Sequence, residues 1–325
     1  MTLLTRRAFS LAALSSLATL GFSGSAAFAA DRTMPETLDI VYVKAPFNLQ
    51  NMVLKNRGML ERAFEKYGTR VTWHTITSGA KQAQAMAAGS IDVSAVMNTA
   101  SLLMANGAGS RVLVADGVAH PTDTFAIVGP KGKTLSVKDL KGKKVAGPRG
   151  TVLHQLLVAA LKKEGLSIDD VEFISMDPAP ALSALLTGSV DAALLAASAV
   201  IKANESGCRT ITTARGLVNV NLVLTASDSF AQKYPEALKL VVKTHREALA
   251  WIRAHREEAV ALGAKEHGIS MADARTLAEW SHYYSTLTED DIKGLDVDQE
   301  FLVQNGMMQK RVDVKSLVLP TALEQ

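Results

Sequence analysis

Residues 78–95 read SGAKQAQAMAAGSIDVSA, and 99 positions further along the chain residues 177–194 read DPAPALSALLTGSVDAAL. In each copy, an apolar helical stretch leads to a Gly-Ser pair, whose glycine tolerates a positive φ. A β-type run then opens with Asp92 in the first copy and with Asp191 in the second. This repeated order of helix, turn and strand predicts two lobes of like topology.

Outward from the two copies, short β-type runs alternate with helical stretches, a pattern typical of mainly parallel sheets covered by helices. The predicted strands are 38–43, 71–76, 91–96, 112–117, 124–128, 144–146, 171–175, 190–195, 210–213 and 217–224, and residues 229–284 are nearly all helical in period. We therefore predict a two-lobed α/β fold. Residues 31–120 and 220–325 form lobe one and residues 121–219 form lobe two. The two crossings form a hinge, and the ligand cleft lies between the lobes.

The first thirty residues differ from the rest and predict a signal peptide. They contain Arg6 and Arg7, an apolar run over 11–20 and a small-x-small site at residues 27–29, before Ala30 or Asp31. A run of about 10 apolar residues is shorter than the ~20 that cross a bilayer. We expect a cleaved leader and a periplasmic protein. Residues 5–10, TRRAFS, favour the twin-arginine route, although the general secretion route remains open.

The charge balance gives no support for binding to nucleic acid or to an anionic membrane surface. The chain has 35 basic and 32 acidic residues, and loss of Arg6 and Arg7 with the leader lowers its net charge from +3 to +1. Cys208 is the single cysteine, which excludes an intrachain disulfide, and no cysteine stands at the cleavage site to carry a lipid. We expect a monomer in solution that binds any anion locally.

Eleven residues are candidates for binding an anion because they lie where predicted strands end and helices begin. Ligands of open α/β sheets bind beyond the carboxyl ends of the strands, and helix starts offer free N–H groups and a partial positive charge. The candidates are Lys44, Asn48, Ser78, Gly79, Asn98, Thr99, Arg149, Gly150, Thr151, His154 and Ser198. An ordinary N-cap role remains open for Asn48, Ser78, Thr99 and Thr151. Their convergence from both lobes is what predicts the site.

Arg149 carries the most specific signal among these candidates. A cation at a helix start is electrostatically unfavourable unless it meets an anion, which a guanidinium can hold through two hydrogen bonds. Exposure of Arg149 to solvent remains the alternative, and Lys44 is open to the same two interpretations. His154, one turn into the helix, could donate to a ligand, but we interpret it as fixing the loop before that helix.

The sequence predicts no metal site, no cofactor and no catalytic motif. His245, His255, Glu266 and His267 resemble a ligand set in composition, but their spacing on amphipathic helices predicts a solvated helical face. The chain has no Gly-x-Ser-x-Gly elbow, and Cys208 lies outside any nucleophile context. Residues 129–134, GPKGKT, are too short for a phosphate loop. These observations favour a binding protein over an enzyme.

Several stretches, in this order and spacing, resemble the periplasmic solute-binding proteins of sulfonate, taurine and nitrate importers over residues 38–224. They are Tyr42-Val43-Lys44 with Asn48-Leu49, residues 89–92, residues 139–146 (DLKGKKVA), Gly150-Thr151 with His154 and residues 156–157, residues 165–166, and residues 188–192. The resemblance implies a type II periplasmic-binding fold. It also implies ligand capture by the helix starts around Asn48, Ser78, Asn98 and Thr151, and delivery to an ABC permease in the inner membrane.

One departure from this family concerns the strand that follows Asp191. The family often has an aromatic-Asp-Pro loop there, whereas this chain has residues 194–198, LLAAS. The change removes one wall of the usual pocket and therefore bears on the identity of the solute.

The function hypothesis is the substrate-binding component of an ABC importer, with an alkanesulfonate or taurine as the first solutes to consider. Within the same fold, the alternatives are nitrate, a carboxylate or a thiamine-precursor pyrimidine. An exported enzyme, or a partner protein of a sensor that uses the same cleft, is the alternative from another class.

Overall fold

Two five-stranded mixed sheets form the centre of the computed structural model, which describes residues 33–324. Sheet A contains β1 (Thr37–Tyr42), β2 (Arg70–Thr75), β3 (Val93–Asn98), β4 (Val112–Ala119) and β10 (Leu222–Ser227) in the order β2-β1-β3-β10-β4. Sheet B contains β5 (Phe125–Gly129), β6 (Lys144–Gly147), β7 (Glu172–Ser175), β8 (Ala192–Ala196) and β9 (Arg209–Thr213) in the order β7-β6-β8-β5-β9. The predicted α/β class is confirmed. The predicted leader, residues 1–30, lies outside the described residues.

The two sheets have the same topology. In sheet A, β1 pairs in parallel with β2 and β3, while β10 is antiparallel to both β3 and β4. In sheet B, β6 pairs in parallel with β7 and β8, while β5 is antiparallel to both β8 and β9. The reversed strand in each sheet is the first one formed after the chain crosses from the other sheet. We keep the lobe boundaries at 120 and 219 as a proposal placed within these two crossings.

Helices cover both sheets. Those beside sheet A are α1 (Leu49–Asn56), α2 (Met59–Glu65), α3 (Gly79–Ala87) and α4 (Thr99–Gly107), and those beside sheet B are α5 (Val152–Lys163), α6 (Pro178–Leu186) and α7 (Ser198–Glu205). The chain then forms α8 (Asp228–Lys233), α9 (Pro235–Ala254), α10 (Arg256–His267), α11 (Met271–Trp280) and α12 (Glu289–Gln304). Because α1 packs on α9 and α10, and α4 on α12, these helices extend the sheet A side. We call sheet A with α1–α4 and α8–α12 the A half, and sheet B with α5–α7 the B half.

The sequence repeat corresponds to equivalent elements in the two halves. α3 and α6 begin 99 positions apart and end 99 positions apart, and β3 and β8 begin with the same offset. Gly89 and Gly188, which follow the two helices, have φ values of 73° and 74°. A side chain at either position would be strained. The prediction of two units of like topology is therefore confirmed at the level of these elements.

The repeated aspartates fix the register of neighbouring strands. The Asp92 carboxylate accepts the Asp39 N–H at 2.9 Å, and the Asp92 N–H donates to the Asp39 carbonyl at 2.9 Å. Asp191 makes the same pair of bonds to Lys144, at 3.0 and 2.9 Å. Each aspartate thus stands just before its strand and holds the strand beside its parallel neighbour, β1 for Asp92 and β6 for Asp191.

Replacing Asp191 with alanine should lower the free energy of unfolding by about 1 kcal/mol, because the Lys144 N–H loses a charged acceptor. Asp191→Asn keeps an oxygen acceptor and should lose less than half of that amount. Urea unfolding of the two variants and the wild type measures the difference. Equal stability of Asp191→Ala and the wild type would show that water replaces the carboxylate fully.

Two predictions about the second half of the chain need correction. The strand predicted over 217–224 begins only at Leu222, because the N–H groups of Leu217 and Val218 both turn back to the Ala214 carbonyl. Val218 and Val220 are nevertheless buried, so the apolar alternation of this segment reflects burial at a crossing rather than strand structure.

No helix among residues 33–324 is both long and apolar enough to cross a membrane.

The prediction of a solvated helical face is wrong for His245 and His267. The His245 side chain is fully buried, and its Nδ1 lies 2.8 Å from the Asp116 carboxylate of β4. Arg246 donates to the other oxygen of the same carboxylate at 2.9 Å. Because β4 supplies a charged partner, α9 can bury a histidine on the face that packs against the sheet.

Candidate functional site

A cavity of about 340 Å³ lies between the two halves. Its wall is formed mainly at the carboxyl ends of β1, β2 and β3 in the A half and of β6, β7 and β8 in the B half, where ligands of α/β sheets bind. Phe125 and Leu222, the first residues of the antiparallel strands β5 and β10, complete it. Most of the wall is apolar, and Phe125 is its one aromatic residue among those described. The wall residues are Val43, Ala45, Pro46, Thr77, Ser78, Gly79, Gln82, Val96, Met97, Asn98, Phe125, Pro148, Thr151, Val152, Leu153, Asp177, Pro178, Ala179, Leu182, Ala196, Ser198, Ala199, Lys202 and Leu222.

Four helices start at this wall without a side-chain cap. In α3, α5, α6 and α7 the N-cap residue makes no side-chain hydrogen bond to the helix start. Ser78 and Thr151 occupy N-cap positions but leave this ordinary role unused. The first N–H groups of a helix have no partner within it and carry a partial positive charge. One uncapped helix start from the A half, that of α3, and three from the B half therefore offer donors to one anion-sized space.

The fifth helix at the wall, α4, is capped by a residue that also reaches the other half. The Asn98 side-chain oxygen accepts the Ser101 N–H at 2.9 Å and the Val152 N–H of α5 at 3.2 Å. The Ser101 hydroxyl donates to the Gly150 carbonyl at 2.8 Å. Asn98 and Ser101 thus join the start of α4 to the start of α5 across the cleft.

Five of the eleven predicted site residues lie on the cavity wall: Ser78, Gly79, Asn98, Thr151 and Ser198. The Ser78 hydroxyl has no hydrogen-bond partner among residues 33–324, although Ser78 is only 6% exposed. The Thr151 hydroxyl donates to the Pro148 carbonyl at 2.9 Å. Binding of a ligand by these five residues stays a prediction.

Three predicted residues of the A half lie off the wall. Lys44 is exposed, and its ammonium donates to the Glu266 carbonyl. Asn48 is buried and donates its amide to the Val43 and Ala45 carbonyls at 2.9 and 2.6 Å. Thr99 is the first residue of α4, and its N–H donates to the Asn221 carbonyl at 3.0 Å. In this structure their polar contacts are to protein carbonyls, which fasten the segments around β1, α1 and α4.

The remaining three predicted residues, Arg149, Gly150 and His154, also lie off the wall, and two of them contact Phe173. The Arg149 guanidinium is exposed and lies 4.8 Å from the centre of the Phe173 ring, so the alternative of solvent exposure is the one observed. The His154 ring stacks on Phe173 at 4.8 Å, and its Nδ1 accepts the Gly150 N–H at 3.4 Å. Burial, together with the nearby Arg149 charge, lowers the pKa of His154 to about 4. A neutral His154 that holds the Gly150 loop agrees with its interpretation from the sequence.

Sequence reasoning missed the charged residues of the wall, Lys202 and Asp177. Lys202 is the one cationic side chain on the wall among the described residues. Asp177 is the one acidic side chain there, but it is paired with Lys81 of the A half at 2.8 Å. Each residue has a signal in the sequence that could have located it at the site. Lys202 follows the predicted site residue Ser198 by one helical turn, and Asp177 is the repeat equivalent of the predicted site residue Ser78.

His267 lies beside the wall and links the two halves. Its Nδ1 is 2.8 Å from the Ser198 hydroxyl, and its Nε2 is 3.1 Å from the Lys44 carbonyl. Its own carbonyl accepts the Lys202 ammonium at 3.0 Å. Among residues 33–324, no three histidine, cysteine or acidic side chains are grouped as a metal site would require.

A protein of Escherichia coli (strain K12) named as an aliphatic sulfonates-binding protein is 27% identical to this chain over 322 residues, which cover 95% of this chain and 97% of that protein. The alkanesulfonate-binding protein of Xanthomonas axonopodis pv. citri, solved bound to MOPS, has a TM-score of 0.78 and 26% identity. That comparison covers 88% of this chain and 98% of the solved chain. Both matches span nearly the whole of the related proteins.

More distant solved structures share the fold alone. A Candida albicans protein with the generic periplasmic binding protein fold has a TM-score of 0.72 at 15% identity, covering 90% of this chain and 98% of its own. The desulfurization enzyme DszB has a TM-score of 0.63 at 17% identity, covering 88% and 97%. The predicted periplasmic-binding fold is therefore confirmed, and the same fold occurs in at least one enzyme.

A family-wide sequence comparison agrees with these individual matches. The sequence model of the NMT1/THI5 like family matches residues 64–259, which include all of the B half, α3, β3, α4, β4 and β10. The match covers more than half of the chain and contains both copies of the repeat. On this basis, the chain belongs to the NMT1/THI5 like family.

Proposed function

We propose that the protein is the substrate-binding component of an ABC importer and captures an organic sulfonate in the cavity between its halves. The observation that carries the proposal is the convergence of four uncapped helix starts, one from the A half and three from the B half, on one cavity of about 340 Å³. Such a site binds an anion through backbone donors, without a metal. The similarity to sulfonate-binding proteins over nearly the full chain supports the sulfonate class.

The chemistry of the wall favours an alkanesulfonate over taurine. Val43, Met97, Phe125, Leu153 and Leu182 provide apolar surface for an alkyl chain. Taurine would instead bring an ammonium group, which needs a free carboxylate. Asp177 is the one acid on the described wall, and it is already neutralised by Lys81. We therefore expect an alkyl chain to contribute more to affinity than an amino group.

The alternative of an enzyme would have to use Ser198 and His267, the one hydroxyl–imidazole pair at the wall among the described residues. Their separation of 2.8 Å suits proton transfer. Burial lowers the pKa of His267 to about 4, however, which makes its imidazole a weak general base near neutral pH. Its other nitrogen faces a main-chain carbonyl rather than a carboxylate. We therefore favour binding without turnover.

A thermal-shift series tests the proposed class of ligand. The series consists of C4 to C8 alkanesulfonates, taurine, nitrate, the matching carboxylates and an aminopyrimidine. Ligand at 100 times its Kd should add about 2.7 kcal/mol to the free energy of unfolding. We expect the alkanesulfonates to give the largest shifts. The absence of a shift with every anion, or hydrolysis of p-nitrophenyl esters that Ser198→Ala abolishes, would overturn the proposal.

Replacing Lys202 with methionine should weaken binding of hexanesulfonate about 10- to 50-fold, because the anion loses its one cationic wall partner. Lys163→Met is the matched control, since Lys163 is an exposed lysine of α5 with no ion pair among the described residues. Isothermal titration calorimetry of both variants measures the two affinities. Equal affinities would remove Lys202 from the site.

We also propose that residues 1–30 direct export to the periplasm and that the mature protein acts as a monomer with a permease of the inner membrane. The arginine pair and the small-x-small site at residues 27–29 support export. N-terminal sequencing of the periplasmic protein should find Ala30 or Asp31 first. Replacing Arg6 and Arg7 with lysines should block export by the twin-arginine route and leave general secretion intact.

A further inference from the structure

The carboxyl end of α10 holds two lysines, one from each half. A Schellman-type ending satisfies two of its last carbonyls, because the Ile269 N–H donates to Ala264 at 3.1 Å and the Gly268 N–H to Lys265 at 3.3 Å. The next two carbonyls, of Glu266 and His267, accept the ammonium groups of Lys44 and Lys202. A helix end with a partial negative charge is a favourable place for cations. The cationic side chain of the cavity wall is therefore held in place from the opposite half.

The His267 ring adds a second bond between the halves, and its surroundings define its tautomer. The Lys44 carbonyl can only accept, so His267 Nε2 carries the hydrogen of the 3.1 Å contact. Nδ1 is then an acceptor and receives the Ser198 hydroxyl hydrogen at 2.8 Å. His267 is only 4% exposed, and the centre of its ring lies 5.2 Å from the centre of the Phe47 ring. Its lowered pKa, near 4, keeps this neutral arrangement at periplasmic pH.

Ser198 and Lys202 lie one helical turn apart on α7, so both face α10. The bond from His267 to Lys44 stays within the A half, whereas those from Ser198 and Lys202 to His267 cross the cleft. The single hydroxyl hydrogen of Ser198 points to His267 and is not available to a bound anion. The hydrogen bond to His267 makes Ser198 a link between the halves, and its predicted role in ligand binding stays a prediction.

We infer that His267 is a positioning residue that fastens α7 to α10 across the cleft and so slows release of the bound anion. The inference rests on the proposed function, because it concerns the same cavity. His267 itself is not on the wall and does not contact the ligand space. Loss of the His267 bonds should therefore raise the dissociation rate constant and change the association rate constant little. The reason is that a bond between the halves forms after the ligand has entered.

Two amide variants separate the bonds of the ring. His267→Asn places an oxygen acceptor near the position of Nδ1 and can keep the bond from Ser198. His267→Gln places an amide donor near the position of Nε2 and can keep only the bond to Lys44. We expect the dissociation rate of hexanesulfonate to rise about tenfold in His267→Gln, equivalent to about 1.4 kcal/mol, and less than threefold in His267→Asn.

Stopped-flow fluorescence measures both rate constants, and the melting temperatures of the ligand-free variants serve as the folding control. In a double-mutant cycle, Ser198→Ala combined with His267→Gln should add little to either single change. Equal rates in the wild type and His267→Gln would overturn the inference, as would retention of slow release by His267→Gln but not by His267→Asn. Absence of hexanesulfonate binding by the wild type would instead count against the proposed function.

Discussion

Replacing Gly79 with alanine should lower the free energy of unfolding by about 2–3 kcal/mol and weaken ligand binding at least tenfold, because the new methyl group overpacks the contact between α3 and α4 beside the cleft. A Cβ at Gly79 would lie 2.6 Å from Ser101 Oγ, 2.8 Å from Ser101 Cβ and 2.7 Å from Asn98 Nδ2. These two side chains carry the hydrogen bonds that join α4 to Val152 and Gly150 of the B half. The methyl group cannot be accommodated unless Asn98 or Ser101 moves, and either movement disturbs a bond across the cleft.

Gly294→Ala is the matched control for Gly79→Ala. Gly294 lies inside α12, and a Cβ there meets no atom within 4 Å. Alanine should therefore stabilise the helix by about 0.5–1 kcal/mol. Urea unfolding and titration with hexanesulfonate should give opposite signs of stability change for the two variants, with normal affinity in Gly294→Ala. A stable, tightly binding Gly79→Ala variant would show that α3 and α4 can separate without opening the cleft.

The topology could be predicted because it is encoded locally. The Gly-Ser turn at Gly89 and Gly188, and the aspartate that follows, repeat with one offset, and each copy folds into the same helix, turn and strand. The order of the elements along the chain predicts how the strands pair, since short strands separated by helices form mainly parallel sheets. The prediction of a strand from residue 217 was wrong, although it used the same apolar alternation that located the other strands. Apolar alternation reports burial, and at Val218 and Val220 a turn is buried.

The location of the candidate site could also be predicted, but its individual side chains could be predicted only in part. Helix starts are visible in a sequence, so Ser78, Gly79 and Thr151 could be placed at the cavity. The direction of a flexible side chain is not visible in the same way. Arg149 and Lys44 follow strands as expected, yet one stacks on Phe173 and the other reaches the end of α10. Long side chains have enough freedom that tertiary contacts decide their positions.

His267 could not have been assigned its place from local pattern. Its partners, Lys44 and Ser198, are 223 and 69 positions away in the sequence. A histidine at the end of an amphipathic helix is ordinarily a solvated residue. Only the packing of α10 against α1 and α7 shows that its ring is enclosed and bonded on both nitrogens.

Replacing Asp298 with asparagine should raise the free energy of unfolding at pH 7.5 by about 1–3 kcal/mol and have little effect at pH 4. Asp298 of α12 is 8% exposed, and its Oδ1 accepts the Gln155 side-chain N–H of α5 at 3.1 Å. Burial raises the pKa of Asp298 to about 6, and the bond from Gln155 opposes this only in part. Gln155 Oε1 is buried without a partner among the described residues, and a protonated Asp298 could donate to it.

The direction of this pH dependence follows from the protonation of Asp298 in the folded and unfolded chain at low and high pH. Below about pH 4 the carboxyl is protonated in both the folded and the unfolded chain, and its stabilising contribution is complete. Between about pH 4 and pH 6 the unfolded chain releases the proton while the folded chain still holds it, so stability falls as pH rises. Asparagine carries no charge at any of these pH values, and its amide can donate to Gln155 Oε1. The gain from Asp298→Asn should therefore grow through this window and level off above it.

Asp290→Asn provides the control for the change in charge alone. Asp290 lies on the same helix, but its side chain is 91% exposed, so its replacement should change stability by less than about 0.5 kcal/mol at any pH. Urea unfolding of the ligand-free proteins at pH 4, 5, 6 and 7.5 gives the three stability curves. If the curves of Asp298→Asn and the wild type run parallel, folding leaves the pKa of Asp298 unchanged and the prediction is wrong. If they diverge above pH 4 while Asp290→Asn follows the wild type, the contact between α12 and α5 contains a carboxyl that folding keeps protonated.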